Sequence, residues 1–394
     1  MTDGEAREKL RATWAAFCDR MKALGDRILE DDFPQGDLAA AEGFRHLARM
    51  TNLGLTLAYE YDDPDFPLFL RNNDDVTQWG GPNADNTYLY ARVDPSSVYR
   101  VYGNAKSTSG FIVTVRDGFM HTGHEKAEDL SSTEMHIEYD GSFELTIGGQ
   151  ERDGNWMPMM PDAQQIGVRI YFDDWEHQSP PEFHIVRVGS ETEAPPLLTV
   201  ERSARAIEHA ATWIEKNLLF WNEWLAFRMQ FLPVNGISPP MEVPGGSNEV
   251  ITYAGGRFQL EDDEALVLSI SGLTADYIGL VYYTEGWFET GNMTSRTSSL
   301  NQNQIHVDDD GGRRIVVCGC DPGVMNWLDT EGRPTGLIAM RTVNGDAMPE
   351  VAPRVVPVKD LESVLPPSTK WMSVEDRAVQ RRIRREHLGD RFHR

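Results

Sequence analysis

The residues of this chain best equipped for chemistry crowd into one short stretch. Gln78-Trp79-Gly80-Gly81-Pro82-Asn83-Ala84-Asp85-Asn86-Thr87-Tyr88 holds amides, a carboxylate, an indole and a phenol in a turn-rich segment. Asp85 beside Tyr88 offers acid–base groups, Asn83 and Asn86 offer paired donors and acceptors, and Trp79 offers a flat apolar face. The same residues also suit a strand entry, where Asn and Asp side chains satisfy their own backbone. Both readings stand. His136 and His306 each precede an Asp-Gly pair, Asp140-Gly141 and Asp310-Gly311. An imidazole titrates near neutral pH and suits a general base, but it can equally anchor a turn. Trp156 and Trp327, each after an Asn, are candidate ligand shelves. Arg169 and Arg341 stand in apolar strands, where an unpaired charge is costly. Each must therefore meet a carboxylate or line a cavity. The candidate catalytic set is His136, Asp85, Tyr88 and His306. The candidate ligand-binding set is Trp79, Asn83, Asn86, Trp156, Arg169 and Arg341.

His121-Thr122-Gly123-His124-Glu125, with His136, has the ligand types of a zinc or iron site. On a strand, however, a spacing of three sends His121 and His124 to opposite faces. Polar residues at a pocket rim are the preferred reading, and no metal is expected. Asp308-Asp309-Asp310-Gly311-Gly312 lacks the alternating spacing and closing Glu of a calcium loop. There is no phosphate-cradling glycine loop and no Gly-x-Ser-x-Gly elbow. The inventory thus fits cofactor-free hydrolysis, elimination or isomerisation better than redox or nucleotide-dependent chemistry.

These residues must be positioned by elements, and the chain writes the main ones twice. Gly118-Phe119-Met120-His121-Thr122-Gly123 answers to Gly286-Trp287-Phe288-Glu289-Thr290-Gly291, His136 to His306, Asn155-Trp156 to Asn326-Trp327, and Arg169 to Arg341. The separation grows from 168 to 172 residues, as small loop insertions would make it. Val98-Tyr99-Arg100-Val101 extends the match to Val267-Leu268-Ser269-Ile270. A period this long means two tandem modules, not a solenoid. Alternating runs such as Phe111-Ile112-Val113-Thr114-Val115 and Ile166 to Phe172 predict short antiparallel strands. Gly, Asp and Pro between them point to β-sandwiches of jelly-roll type.

Ahead of the first module, Leu10, Trp14, Phe17, Met21, Leu24 and Ile28 predict one helix. Phe44, Ala48, Thr51, Leu55 and Ala58 predict a second, capped by Asp37. Ile207, Ala211, Ile214, Leu218, Trp221 and Leu225 predict a long helix between modules. The expected fold is α+β, with two duplicated β-sandwich modules. The expected division is a helical hairpin and loop over 1–78, a first module over 79–199, a connecting helix over 200–236, a second module over 237–345 and an arm with a basic helix over 346–394.

Composition bounds the partners. A formal net charge of −25 over 394 residues disfavours nucleic acid and anionic membrane, both of which need positive charge. Seven arginines from Arg377 onward make the tail basic against the acidic body. Such a tail can dock on the body, clasp a second subunit as a homo-oligomer, or lie solvated. Three cysteines, Cys18, Cys318 and Cys320, suggest a reducing compartment. No secretory leader and no membrane-spanning run is read, so a cytoplasmic location is expected.

Ala41-Glu42-Gly43-Phe44-Arg45-His46-Leu47, Pro82 to Tyr88, Asp153-Gly154-Asn155-Trp156 and Arg169-Ile170-Tyr171, in that order, resemble the domain-of-unknown-function family 1214. The Asn-Ala-Asp-x-x-Tyr element also resembles its companion, family 1254. The resemblance spans most of 37–341. It implies jelly-roll domains and a bacterial or fungal protein of small-molecule metabolism, with no reaction or catalytic residue to carry over. Family members usually have Trp or Pro after the Arg-x-Tyr element, whereas the second copy here reads Arg341-Thr342-Val343. The functional expectation is an enzyme or enzyme-like protein, its apolar or glycan-like ligand held between the modules. The alternative is a non-catalytic binding or assembly protein.

Overall fold

The computed structural model describes residues 2–124, 126–239, 251–272, 274–343, 345 and 349–393. It divides into two units. The first comprises 1–79, 87–170 and 180–224, and the second 80–86, 171–179 and 225–394. Two short segments from the chain's first half are thus built into the second unit.

In the first unit, α1 (Asp3–Arg27) starts from a capping box in which Thr2 and Glu5 exchange backbone hydrogen bonds. α2 (Asp37–Glu60) follows Gly36, whose φ of 101° marks the turn, and Asp37 is its first residue, not its cap. The buried face of α2 also differs from the expected stripe. His46, Leu47, Met50, Leu53, Leu57 and Ala58 are buried, whereas Phe44 is exposed. The Phe44–Thr51 face turns instead toward α1, where Thr51 meets Met21 and the Phe44 ring lies beside Gly25. α3 (Val200–Met229) buries the predicted Ile207, Ala211, Ile214 and Leu218. It crosses α2 at Gly54, where any Cβ would come within 2.6 Å of Ile214.

Nine strands follow the helical pair: β1 (Leu70–Asn73), β2 (Asn86–Arg92), β3 (Tyr99–Asn104), β4 (Gly110–Arg116), β5 (Ala127–Ser131), β6 (Ser142–Ile147), β7 (Trp156–Met157), β8 (Gln165–Tyr171) and β9 (Glu182–Arg187). They form sheets ordered β1-β2-β8-β4-β5 and β7-β6-β3-β9. Alternation fills the core between them, with Tyr99, Val101, Leu145 and Ile147 from one sheet and Phe111, Val113, Ile166 and Val168 from the other.

The second unit repeats this plan. Its strands are β10 (Ile251–Gln259), β11 (Glu264–Ser271), β12 (Tyr277–Tyr283), β13 (Ser299–Asn301), β14 (Arg313–Cys318), β15 (Trp327–Asp329), β16 (Thr335–Val343) and β17 (Glu350–Pro357). The sheets run β10-β16-β12-β13 and β15-β14-β11-β17, the order of the first module without β1. In both modules the short strand after the repeated turn pairs parallel, β7 on β6 and β15 on β14. The register corrects one block. Arg100 and Val267 hold equivalent places opposite Thr146 and Val316, so Val98 does not answer Val267. The slip of two leaves every side chain on its own face, which is why pattern matching missed it.

Along β11, Leu266, Leu268 and Ile270 face the inter-sheet core, while Ala265 and Val267 face a second cluster. Leu361 of the short α4 (Leu361–Val364) and Leu365 belong to that outer cluster. The C-terminal arm is therefore part of the second unit: β17 pairs with β11 over eight positions. α5 (Val374–Phe392) begins at a capping box formed by Ser373 and Asp376. Its arginines at positions 377, 384 and 391 share one stripe, all buried in this unit, with their guanidinium groups over Trp327, Trp175 and Phe172. The basic tail docks on its own chain. Among the described residues no helix is long and apolar enough to cross a membrane.

Candidate functional site

The predicted residues fall into three different environments. The repeated blocks are turn scaffold. Asn155 accepts from the His136 backbone N–H at 2.7 Å and donates to its carbonyl at 2.8 Å. Asn326 does the same to His306, at the same two distances. Trp156 and Trp327 donate their indole N–H to the carbonyls of Gly148 and Cys318. The His136 ring is exposed beside Glu138, and the His306 ring faces the Ser368 carbonyl at 2.9 Å. What the duplication kept is a way of closing a turn.

Asp85 lies at the centre of a buried cluster in the second unit. It is 0% exposed. Its Oδ1 accepts from Trp175 Nε1 at 2.9 Å and Asn301 Nδ2 at 2.8 Å, and its Oδ2 from the Tyr277 hydroxyl at 2.6 Å. Asn83 donates to that same hydroxyl and also accepts the Asp85 N–H, so the two predicted residues do meet. Arg391 donates to the carbonyls of Ala84 and Asn86, on either side of Asp85. Burial pushes the Asp85 carboxyl above its ordinary range, while the Tyr277 and Asn301 bonds and the charges of Arg391 and Arg384 pull the other way. The Tyr277 phenol is raised by burial and by Asp85. Each carboxylate oxygen is taken by donors of its own unit, which makes Asp85 a keystone for segment 80–86. Arg341, expected to meet a carboxylate or line a cavity, donates to the Gly81 carbonyl and the Tyr283 hydroxyl. Tyr88 is half-buried in the first unit, with the Arg169 guanidinium 5.8 Å from its ring centroid.

The first unit holds the cleft. Gly54, Leu57 and Ala58 of α2, His209, Thr212, Trp213 and Lys216 of α3, and Tyr90 and Arg92 of β2 line about 230 Å³. Gly118, Phe119, Thr122, His124, Gln164 and Gln165 complete it. An apolar cavity of about 150 Å³ holds benzene, so this one takes a single substituted ring. The wall is aromatic: Tyr90 stacks on Phe119 at 5.3 Å, and Phe119 meets Trp213 edge-on at 5.9 Å. The rim is titratable. Asp62 lies 3.4 Å from His209 Nδ1 and 3.6 Å from Arg92 Nε. Arg92 also donates to Gln164 Oε1. His124 stands 3.7 Å from Asp117. Gly118 makes room for it, because with a φ of 149° its absent Cβ would lie 2.6 Å from the His124 ring. Arg92 and Lys216 outnumber Asp62 before either histidine is counted, an unusual balance on a chain of charge −25.

Of the predicted ligand residues, Trp79 comes nearest this site. Its indole N–H is donated to the Asn72 carbonyl, and its ring packs on Phe119 and Trp213. His121 and His124 part company, one inside the aromatic cluster and one on the cleft. Residues 120–122 form a 3₁₀ turn. Among the described residues no group of three His, Cys, Asp or Glu is placed to hold a metal, and Glu125 lies outside them. Asp62, Arg92, His209, Trp213 and Lys216 were not singled out from sequence. A signal existed: 209, 212, 213 and 216 recur at three and four, a polar–aromatic stripe beside the apolar stripe of α3.

An uncharacterized protein from Burkholderia cenocepacia, known from its crystal structure, is 30% identical to this chain. The match covers 90% of this chain and 100% of that one, with a TM-score of 0.83. A Vibrio parahaemolyticus protein matches at 11% identity over 79% of this chain and 98% of that one, with a TM-score of 0.46. No family model and no curated protein matches the sequence.

Proposed function

The chain belongs to one family with the uncharacterized Burkholderia cenocepacia protein, and we propose that it acts on a small organic molecule held in the cleft of its first unit. The observation that carries this reading is the lining: an aromatic wall of Tyr90, Phe119 and Trp213 under a rim of Asp62, Arg92, His124, His209 and Lys216. Pockets that combine an apolar wall with a few convergent polar and titratable groups are the usual places for ligands. The cationic rim selects a ring or short chain carrying a carboxylate or similar anionic end. Asp62 engages Nδ1 of His209, which leaves Nε2 as the nitrogen able to exchange a proton with substrate. This pair suits cofactor-free acid–base chemistry such as hydrolysis, elimination or isomerisation. Three free thiols fit a reducing compartment such as the cytoplasm.

The test is binding of three single-ring acids, benzoate, 4-hydroxybenzoate and phenylacetate, followed by the indole N–H resonance of Trp213. At least one is expected to shift that resonance, and R92Q together with K216Q is expected to weaken binding by about tenfold or more. Failure of all three to move Trp213, or equal binding to the double variant, would refute the reading.

A further inference from the structure

Behind the aromatic wall of the cleft stands a group of polar side chains with no hydrogen-bond partner among the described residues. His121 is 5% exposed. Its ring stacks on Phe119 at 5.1 Å and meets Trp79 and Trp213 edge-on at 5.4 and 5.0 Å. Neither ring nitrogen has a hydrogen-bond partner among the described residues. The same holds for the indole nitrogen of Trp213 and for both side-chain polar atoms of Asn217, which is 0% exposed. Asn217 follows Trp213 by one helical turn, on the same face of α3. An unpaired buried polar atom costs roughly 1–3 kcal/mol, and folded proteins leave few of them. Five such atoms on three neighbouring side chains, two of whose ring contacts line the cleft, make a concentrated exception.

We propose that His121, Trp213 and Asn217 form the inner end of the ligand site and receive a neutral donor–acceptor group, of which a primary amide is the type, reached by displacing the Phe119 ring from its edge-on contact with Trp213. This rests on the cleft being the ligand site and names the other end of its ligand. The chemistry of the three side chains selects the group. Trp213 offers only a donor, Asn217 a donor and an acceptor, and His121 one of each in its neutral form. Burial and the nearby Lys216 charge hold that ring neutral, its pKa lowered to about 3. An ionised group would lose its hydration there among neutral side chains, which is costly. The ligand class is therefore a small ring or short apolar chain with an anion at one end, facing Arg92 and Lys216, and a neutral amide or similar group at the other.

The full chain, labelled with ¹⁵N, is titrated with 4-carbamoylbenzoate, benzamide and benzoate. The expected result is that 4-carbamoylbenzoate binds about tenfold or more tighter than benzoate and shifts both the Trp213 indole N–H and the His121 ring nitrogens. In N217L, and separately in H121F, that tenfold preference should vanish. If benzoate binds but the amide adds nothing, or if the preference survives N217L, the inference falls while the cleft reading stands. If none of the three binds, both fall. A purely structural role for His121 predicts that H121F changes stability and leaves the amide preference intact, which also overturns the proposal.

Discussion

Each unit buries one histidine that cannot readily take up a proton, and this makes a sharp prediction about acid. In the first unit, burial first and the charge of Lys216 second lower the His121 pKa from 6.5 to about 3. In the second unit, His387 lies flat on Trp175 at 5.2 Å, and its Nε2 has no partner among the described residues. Burial, then Arg391 and Arg384, lower it to about 3 as well, against a weaker opposing pull from Asp174. In the unfolded chain both rings protonate near 6.5. Above that pH neither state binds the proton, and the contribution of the neutral ring to stability is fully present. As pH falls through 6.5 the unfolded state gains a proton that the folded state refuses, so stability is lost down to about pH 3. The slope is about 1.4 kcal/mol per pH unit per histidine. At pH 5 each unit should have lost about 2 kcal/mol, a large share of the 5–15 kcal/mol typical of a domain. Urea unfolding of wild type, H121F and H387F at pH 7, 6 and 5 isolates the effect, because the other titrating groups cancel in the difference. Each variant should lose less stability on acidification than wild type, by about that amount and in its own unit. Parallel pH profiles for wild type and variant would show that the ring protonates in place, and the burial argument would fail.

Two further predictions separate keystones from catalysts. D85A strands the Tyr277 hydroxyl, the Asn301 amide and the Trp175 indole, and removes a carboxylate that interacts electrostatically with Arg384 and Arg391. It should cost about 3–5 kcal/mol of the second unit's stability in urea unfolding, and a cost under about 1 kcal/mol would refute the keystone role. N155A and N326A each remove the paired bonds to a histidine's backbone and should each cost about 2 kcal/mol. H136A should stay within about 0.5 kcal/mol of wild type because its ring is exposed; a stability loss in H136A matching N155A would place the function of the block in the ring.

The fold was legible because the repeated blocks report backbone geometry. Asn155-Trp156 and Asn326-Trp327 recur because each Asn locks the turn before β6 or β14 and each Trp caps a neighbouring carbonyl. A constraint of that kind is duplicated along with a module, so repetition marked scaffold well and chemistry poorly. The register of β3 against β11 escaped by two residues because alternation has a period of two and carries no information about even slips. The face of α2 was misplaced for a related reason. A helix packed on two partners spreads its apolar residues over more than one stripe, and Phe44, though exposed, belongs to the one that meets α1.

The cleft was illegible for a different physical reason. Its residues come from an acidic loop (Asp62), a strand end (Arg92), a turn (Phe119) and a helix face (His209, Trp213, Lys216), and no sequence window contains two of those elements. Only the α3 stripe could have pointed to it. Polarity by itself misled, since Asn83 and Asp85, in the densest polar segment, engage Tyr277, Trp175 and each other within the second unit. The discriminating quantity is whether polar groups remain unsatisfied by their own protein. Asp85 has three donors on two oxygens, whereas His121, Trp213 and Asn217 have five polar atoms and no protein partner among the described residues. A buried polar group that the fold has satisfied is doing structural work. One that the fold has left unpaired at the back of an aromatic cleft has its hydrogen bonds available for something that enters the cleft.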